Sequence, residues 1–155
     1  MLTNCELVAS YGSLARFRGI QRIHKVGDKT LVGFSGELSD WDYIYESLEQ
    51  LVNKERCLDD GYTMGAVEFH AYLSRVMYGR RSKFDPLWNQ LLVAGFDHSG
   101  KPYLGYVDLV GTTYTDTTLA TGYGAHLARP LLRKEHRNVR THPSSNFRFS
   151  QLILF

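Results

Sequence analysis

The chain has 155 residues, of which 43% are hydrophobic and 22% are charged. This composition is typical of one globular domain and excludes a largely disordered chain. It contains no run of the ~18 apolar residues that a membrane helix requires. The two cysteines, Cys5 and Cys57, are too few for a disulfide framework, and the opening MLTNCELVAS lacks a signal-peptide pattern. We therefore expect an intracellular protein.

The formal net charge of +2 is unevenly distributed along the chain. Residues 134–155 contain four basic residues and one acidic residue (+3), whereas residues 1–133 contain 14 basic and 15 acidic residues (−1). The main body therefore lacks the basic excess of a nucleic-acid-binding domain, and we predict neither nucleic acid nor a membrane as a partner. The basic tail leaves open a salt-sensitive interaction with nucleic acid or an acidic protein.

The first predicted elements are a β-hairpin and a helix. Strands over Ile20–Val26 and Lys29–Ser35 flank Gly27-Asp28, a pair typical of hairpin turns. Apolar residues then recur every three or four positions, as on one helix face: they are Leu38, Trp41, Tyr45, Leu48 and Val52. Ser39 is the predicted N-cap of this helix, and Asp59-Asp60-Gly61 is the predicted break after it.

A second helix is predicted to begin after Thr63, its expected N-cap. The apolar residues from Ala66 to Met77 continue at helical spacing, and His70 beside them is predicted to be packed or hydrogen-bonded rather than a metal ligand. The basic residues Arg80, Arg81 and Lys83 mark the end of this helix, because positive charge favours the C-terminal end of the helix dipole. Asp85-Pro86 then stops it.

Strands are predicted in the next part of the chain. Leu91–Phe96 is apolar on both faces, so it is predicted to be central in a sheet covered on both sides. Pro102–Leu109 is predicted as the return strand, followed by a short strand over 113–117. A third helix is predicted after Gly122-Tyr123-Gly124, ending at Leu132. Strand pair, helix pair, strand group and helix in this order predict an α+β layered domain rather than a doubly wound parallel sheet.

The motifs for known chemistries are weak. Gly33-Phe34-Ser35-Gly36 departs from the nucleophile elbow G-x-S-x-G at residue 37, which is Glu. Gly122-Tyr123-Gly124 lacks the third glycine of the dinucleotide fingerprint at residue 127. The histidines lack metal-ligand spacing, so we predict neither a metal nor a cofactor. The run 80–83 leaves open a solvated helix end, a nucleic-acid or localisation patch, and a subunit contact, of which the first is favoured.

Four strings carry a family resemblance: SYGSLARF at 10–17, RRSKFDPLWN at 80–89, LGYVDLVG at 104–111 and LATGYGAHLARPLLR at 119–133. They resemble beta subunits of the proteasome core particle, and within that family the beta-type-4 group, which fills the beta-7 ring position. The resemblance runs from about residue 8 to residue 133 and departs at both ends, as in a truncated chain.

The resemblance implies a fold, a domain division and partners. The implied fold is an α+β four-layer α-β-β-α sandwich of the N-terminal nucleophile hydrolase type, here incomplete. Residues 1–133 would form a partial beta-subunit-like domain, and residues 134–155 a divergent basic tail. The implied partners are the other alpha and beta subunits of the stacked rings, and the implied localisation is the cytoplasm and nucleus.

Catalytic members of the family use an N-terminal threonine as nucleophile, with a lysine nearby. In this chain that first strand would lie before Met1, and Thr3 does not follow a glycine. Glu6 stands at the family's early aspartate, and Arg22 stands at the lysine, although an arginine cannot shuttle a proton. We therefore expect no catalytic residue and a structural subunit. The alternatives are an active threonine-type endopeptidase using Thr3, and a truncated product without function.

Subunit contacts are expected where arginines stand beside aromatic residues, a mixture typical of protein interfaces. The residues chosen on this ground are Arg16, Phe17, Arg18, Arg80, Arg81 and Trp88. Core packing is the alternative for Phe17 and Trp88. Because a sheet that lacks its outer strands exposes edges and apolar surface, we also expect the chain to be unstable or prone to aggregation on its own.

Overall fold

The computed structural model describes residues 9–11, 14–17, 19–135 and 152–153. The helices are α1 (Leu38–Leu58), α2 (Ala66–Ser82) and α3 (Gly124–Glu135). The strands are β1 (Ala9–Tyr11), β2 (Leu14–Phe17), β3 (Ile23–Val26), β4 (Thr30–Gly36), β5 (Asn89–Phe96), β6 (Pro102–Val107), β7 (Thr113–Thr115), β8 (Leu119–Ala120) and β9 (Leu152–Ile153). Within these ranges, no helix has the length and hydropathy to cross a membrane.

One antiparallel sheet of five strands, in the order β3-β4-β5-β6-β7, organises the described part of the chain. The predicted hairpin is confirmed, since β3 and β4 pair with Val26 opposite Thr30. The predicted central strand is also confirmed, because β5 pairs with β4 on one side and β6 on the other. Outside this sheet, β1 pairs with β2 in an antiparallel hairpin, and β8 pairs with β9 in parallel.

The sheet buries apolar side chains on both faces. On one face, Trp41 of α1 stacks on Phe34 of β4 with ring centroids 4.4 Å apart, within a cluster that also contains the buried side of α2. Leu91 and Val93 of β5 belong to the same cluster. The intervening residues Leu92 and Ala94 belong to a second cluster with Ile23 and Leu119. The period of two along β5 explains why this strand is apolar on both sides.

Both predicted helix N-caps are wrong. The N-cap of α1 is Glu37, and Ser39 lies inside the first turn, where its hydroxyl donates to the Glu37 carboxylate (3.2 Å). The N-cap of α2 is Gly65 instead of Thr63. The Glu68 carboxylate accepts a hydrogen bond from the backbone N–H of Gly65 (2.8 Å), which satisfies that N–H and fixes the helix start there.

Element ends also differ from the sequence-based bounds. β6 ends at Val107, earlier than predicted, because the Asp108 carboxylate accepts hydrogen bonds from the backbone N–H groups of Val110 (3.0 Å) and Thr112 (2.8 Å). These bonds turn the chain before the predicted end of the strand. β3 begins at Ile23, later than predicted, and β7 and α3 also end at other residues than predicted.

Candidate interaction surface

The C-terminal end of α2 lies beside the N-terminal end of α1. The Arg80 guanidinium forms an ion pair with Asp85 (2.9 Å) and lies over the ring of Tyr43, 5.4 Å from its centroid. The backbone N–H of Trp88 donates to the Asp40 carboxylate (2.8 Å). Residues 83–88 are therefore tied to α1 as well as to α2, although they follow α2 in the chain.

Exposed aromatic and arginine side chains gather at this end. Phe84 is 98% exposed, Trp88 63%, Tyr78 56% and Tyr43 50%. The Arg81 guanidinium lies 5.8 Å from the ring centroid of Tyr78. We define the α2-end patch as Tyr43, Tyr78, Arg80, Arg81, Phe84 and Trp88. Aromatic residues and arginine, the two residue types that define the patch, are enriched at the centres of protein interfaces.

The exposure of Trp88 does not fit the core-packing alternative for this residue. The side chain that anchors the segment in the core is Leu87, which is buried in the cluster between the helices and the sheet. Arg80 lies over Tyr43 and Arg81 lies beside Tyr78, at the same end of α2 as Trp88. Their role in subunit contact remains a prediction.

The other predicted contact residues are described only in part. Arg16 and Phe17 lie in β2, but their side chains fall outside the described residues. Arg18 lies outside them entirely, and so do Thr3 and Glu6. The contact role of Arg16, Phe17 and Arg18 therefore remains a prediction from the sequence alone.

Gly36 and Asn89 position the patch, a role that the sequence did not predict for either residue. Gly36 has a φ of +117°, and a Cβ at that residue would lie 2.1 Å from the carbonyl oxygen of Trp88. Only glycine fits there, which allows the backbone N–H of Glu37 to donate to that same carbonyl (3.0 Å). The Asn89 side chain donates to the carbonyl of Glu37 (2.8 Å). The junction between β4 and α1 thus fixes the segment that presents Trp88.

Arg22 stands where the family resemblance places a lysine. One of its guanidinium nitrogens, Nη1, is buried and has no hydrogen-bond partner among the described residues. Burial lowers the pKa of Arg22, yet a guanidinium remains charged in proteins. This side chain can therefore supply positive charge, but it cannot act as the proton carrier that a lysine provides.

A cleft of about 430 Å³ lies at the opposite end of the helix pair. His98 on its wall contacts the Glu68 carboxylate (2.9 Å) and the Tyr62 hydroxyl (3.3 Å) through the same nitrogen, Nε2. Burial raises the pKa of Glu68, but hydrogen bonds from its own backbone N–H, from His98 and from the backbone N–H of Gly65 outweigh burial and hold the pKa below its usual value. Both contacts use one nitrogen, so they do not form a proton relay. The described ranges contain no metal-ligating cluster of histidine, cysteine and carboxylate side chains.

Comparison with known proteins decides the family. The family model described as "Proteasome subunit" matches residues 4–143. The chain belongs to the proteasome subunit family. It is 46% identical over 136 residues to proteasome subunit beta type-4 from Xenopus laevis, an alignment that covers 88% of this chain and 56% of that protein. These findings confirm the resemblance stated from the sequence strings.

Two further relatives carry the same family name. The probable proteasome subunit beta type-7 of Schizosaccharomyces pombe is 52% identical over 128 residues, covering 82% of this chain and 49% of that protein. Proteasome subunit beta type-4 of Dictyostelium discoideum is 50% identical over 129 residues, covering 83% and 49%. The chain spans about half the length of the curated relatives it matches.

Proposed function

We propose that this protein is a non-catalytic, structural beta subunit of the proteasome core particle, which contributes to ring assembly for intracellular protein degradation. The α2-end patch carries the proposal, because it presents exposed aromatic and arginine side chains on a member of this family. The partners are the other alpha and beta subunits of the stacked rings, in the cytoplasm and nucleus. Neither nucleic acid, a membrane nor a cofactor takes part.

The same proposal extends to the layering of the fold. α1 and α2 cover one face of the sheet, and the apolar cluster of Ile23, Leu92, Ala94 and Leu119 lies on the other face. In a four-layer α-β-β-α sandwich, this second face packs against a second sheet, and α3 belongs to the other helix layer. The apolar character of the second face supports this arrangement, because a sheet with two apolar faces needs a cover on each.

The non-catalytic part of the proposal is supported by Arg22. A threonine nucleophile needs a nearby group that takes or gives a proton at neutral pH, and a permanently charged guanidinium does not do so. We expect no turnover of fluorogenic peptides by the purified chain. A covalent adduct between this chain and a threonine-directed inhibitor would contradict the assignment and favour the endopeptidase with Thr3 as its nucleophile.

The test of assembly is affinity purification of the tagged chain, with mass spectrometry that covers both of its ends. We expect it to recover alpha and beta proteasome subunits. Reversing the charge of Arg80 and Arg81 to Glu should lower that recovery by about fivefold or more, because contacts at an interface centre dominate affinity. Since Arg80→Glu also breaks the ion pair with Asp85, Arg81→Glu alone is measured beside the double variant.

The matched control is the double variant Lys54→Glu and Arg56→Glu. It changes the same amount of charge on exposed residues near the C-terminal end of α1, away from the α2-end patch. We expect this control to be recovered like the unmodified chain. Unchanged recovery of the Arg80 and Arg81 variants would show that the patch does not make the subunit contact.

A further inference from the structure

The backbone at the end of α2 forms a Schellman cap with an unusual residue in it. The N–H of Asp85 donates to the carbonyl of Arg80 (3.1 Å), and the N–H of Phe84 donates to the carbonyl of Arg81 (3.0 Å). This pair of bonds requires a left-handed backbone at the residue directly before Asp85. That residue is Phe84, and its φ is +57°. Glycine is the usual residue there because a Cβ is strained in this conformation.

The C-terminal end of α1 shows how the same requirement is met at lower cost. Asp59 follows that helix with a φ of +43°. Aspartate tolerates the left-handed region because its short polar side chain can form local hydrogen bonds. Phe84 has no such compensation, and it buries almost none of its ring. For the isolated chain, position 84 therefore combines backbone strain with an apolar side chain in water.

Neighbouring side chains hold Phe84 in this strained conformation. The ion pair between Arg80 and Asp85 spans it, and Arg80 rests on the Tyr43 ring. Three residues further on, Leu87 is buried in the core. Strained residues of this kind persist where the surrounding structure over-determines them, and they concentrate at binding sites. The ring is thus presented outward by a rigid turn, so that little conformational freedom is lost on binding.

We propose that Phe84 is the anchor residue of the α2-end patch and inserts into an apolar pocket with an acidic rim on a neighbouring proteasome subunit. This inference rests on the proposed function. The acidic rim follows from charge: Asp85 neutralises Arg80, whereas Arg81 and Lys83, which both come just before Phe84 in the sequence, have no ion-pair partner among the described residues. Trp88, Tyr43 and Tyr78, the other exposed aromatic residues of the patch, are the contacts that we expect to exclude water from the bound anchor.

The experiment separates folding from assembly by using one position that affects them in opposite directions. Phe84→Gly relieves the strain, so pulse proteolysis of the tagged full chain at low concentration should show an unfolding equilibrium constant lowered about fivefold. The same variant should be recovered in affinity-purified proteasome particles at about a tenth of the unmodified level or less. Phe84→Ala, which keeps the strain and removes the ring, should lose recovery without gaining stability.

Two further variants control for specificity. Phe84→Tyr keeps an aromatic ring and should restore recovery to near the unmodified level. Leu58→Ala removes an exposed apolar side chain at the end of α1 and should change recovery little. Normal recovery of Phe84→Gly beside a normally recovered unmodified chain would overturn the Phe84 assignment alone. Failure of the unmodified chain to co-purify with other subunits would overturn the proposed function and this inference together.

A second copy of this chain is the alternative partner whose pocket could receive Phe84, and sedimentation velocity tests for it. If Phe84→Gly abolished association between copies of the chain in sedimentation velocity while its recovery in particles stayed normal, the pocket would belong to a second copy. That result would overturn the proposal of a neighbouring subunit.

Discussion

At the scale of single residues, His70 shows how closely α2 packs on the sheet. Its Nε2 lies 3.0 Å from the carbonyl oxygen of Tyr106, which can only accept, so Nε2 carries the proton. Its Nδ1 then accepts from the Tyr103 hydroxyl (2.8 Å). These bonds confirm the sequence-based interpretation of His70 as a hydrogen-bonded core histidine. The ring lies directly on Gly105, where a Cβ would be 2.7 Å from a ring carbon.

Two glycine-to-alanine substitutions test this contact. Gly105→Ala should lower the free energy of unfolding by about 1–3 kcal/mol, because the new methyl group overpacks against the His70 ring. Gly79→Ala is the matched control: it lies inside α2, and nothing stands within 4 Å of its added Cβ. That substitution should raise the free energy of unfolding by about 0.5–1 kcal/mol through helix propensity. Urea denaturation measures both, and changes of equal sign would contradict the close packing at Gly105.

At the scale of elements, a carboxylate attaches α3 to the loop after β7. Asp116 accepts from Arg129 (3.3 Å) and Arg133 (3.1 Å), which are one turn apart on α3. Burial raises the pKa of Asp116, but hydrogen bonds from the Thr117 backbone and the two arginines outweigh it, so that the pKa lies below the ordinary 3.8. Because the folded-state pKa is depressed, the charged carboxylate stabilises the fold above that ordinary value. The contribution is lost as the pH falls through the folded-state pKa.

The prediction for this attachment is a pH-dependent loss of stability in Asp116→Asn. At pH 7 the variant should unfold with about 1–2 kcal/mol less free energy than the unmodified chain, as expected for charged hydrogen bonds. The difference should stay constant down to about pH 5 and shrink as the pH falls below ~4. Arg133→Gln removes one donor only and should lose less. A difference that does not change with pH would contradict the ionic attachment.

The elements themselves were predictable where the pattern of burial is regular. The apolar residues of α1 repeat at helical spacing, and β5 is apolar throughout, so burial against one or two layers is visible in the sequence. The N-caps were not predictable, because Ser39 and Thr63 have suitable side chains but the chain does not turn at either residue. At α2 the deciding contact is the hydrogen bond from the Gly65 backbone N–H to the Glu68 carboxylate, which fixes the helix start at Gly65 although glycine has no side chain that could cap the helix.

At the scale of the whole molecule, the candidate site was predictable in its residue types and not in its geometry. Arginine beside aromatic residues drew attention to Arg80, Arg81 and Trp88. Tyr43 reached the same patch only because α1 and α2 pack side by side, a contact distant in sequence. Phe84 was not predictable either. Its proposed role depends on a left-handed backbone conformation, which phenylalanine rarely adopts and the sequence therefore does not indicate.

The last prediction concerns the isolated chain, which we expect to self-associate. One exposed apolar stripe runs along α3 and begins at the residue directly before it. It consists of Tyr123, Leu127 and Leu131, which lie four residues apart and therefore on one helix face. A stripe of this kind favours association in water.

Sedimentation velocity at increasing concentration should show growing oligomers. The double variant Leu127→Gln and Leu131→Gln should reduce them at unchanged helicity, because both side chains are exposed and glutamine is a good helix former. A monomer at all concentrations, with one cooperative thermal transition, would show that the exposed apolar surface is tolerated by the chain alone.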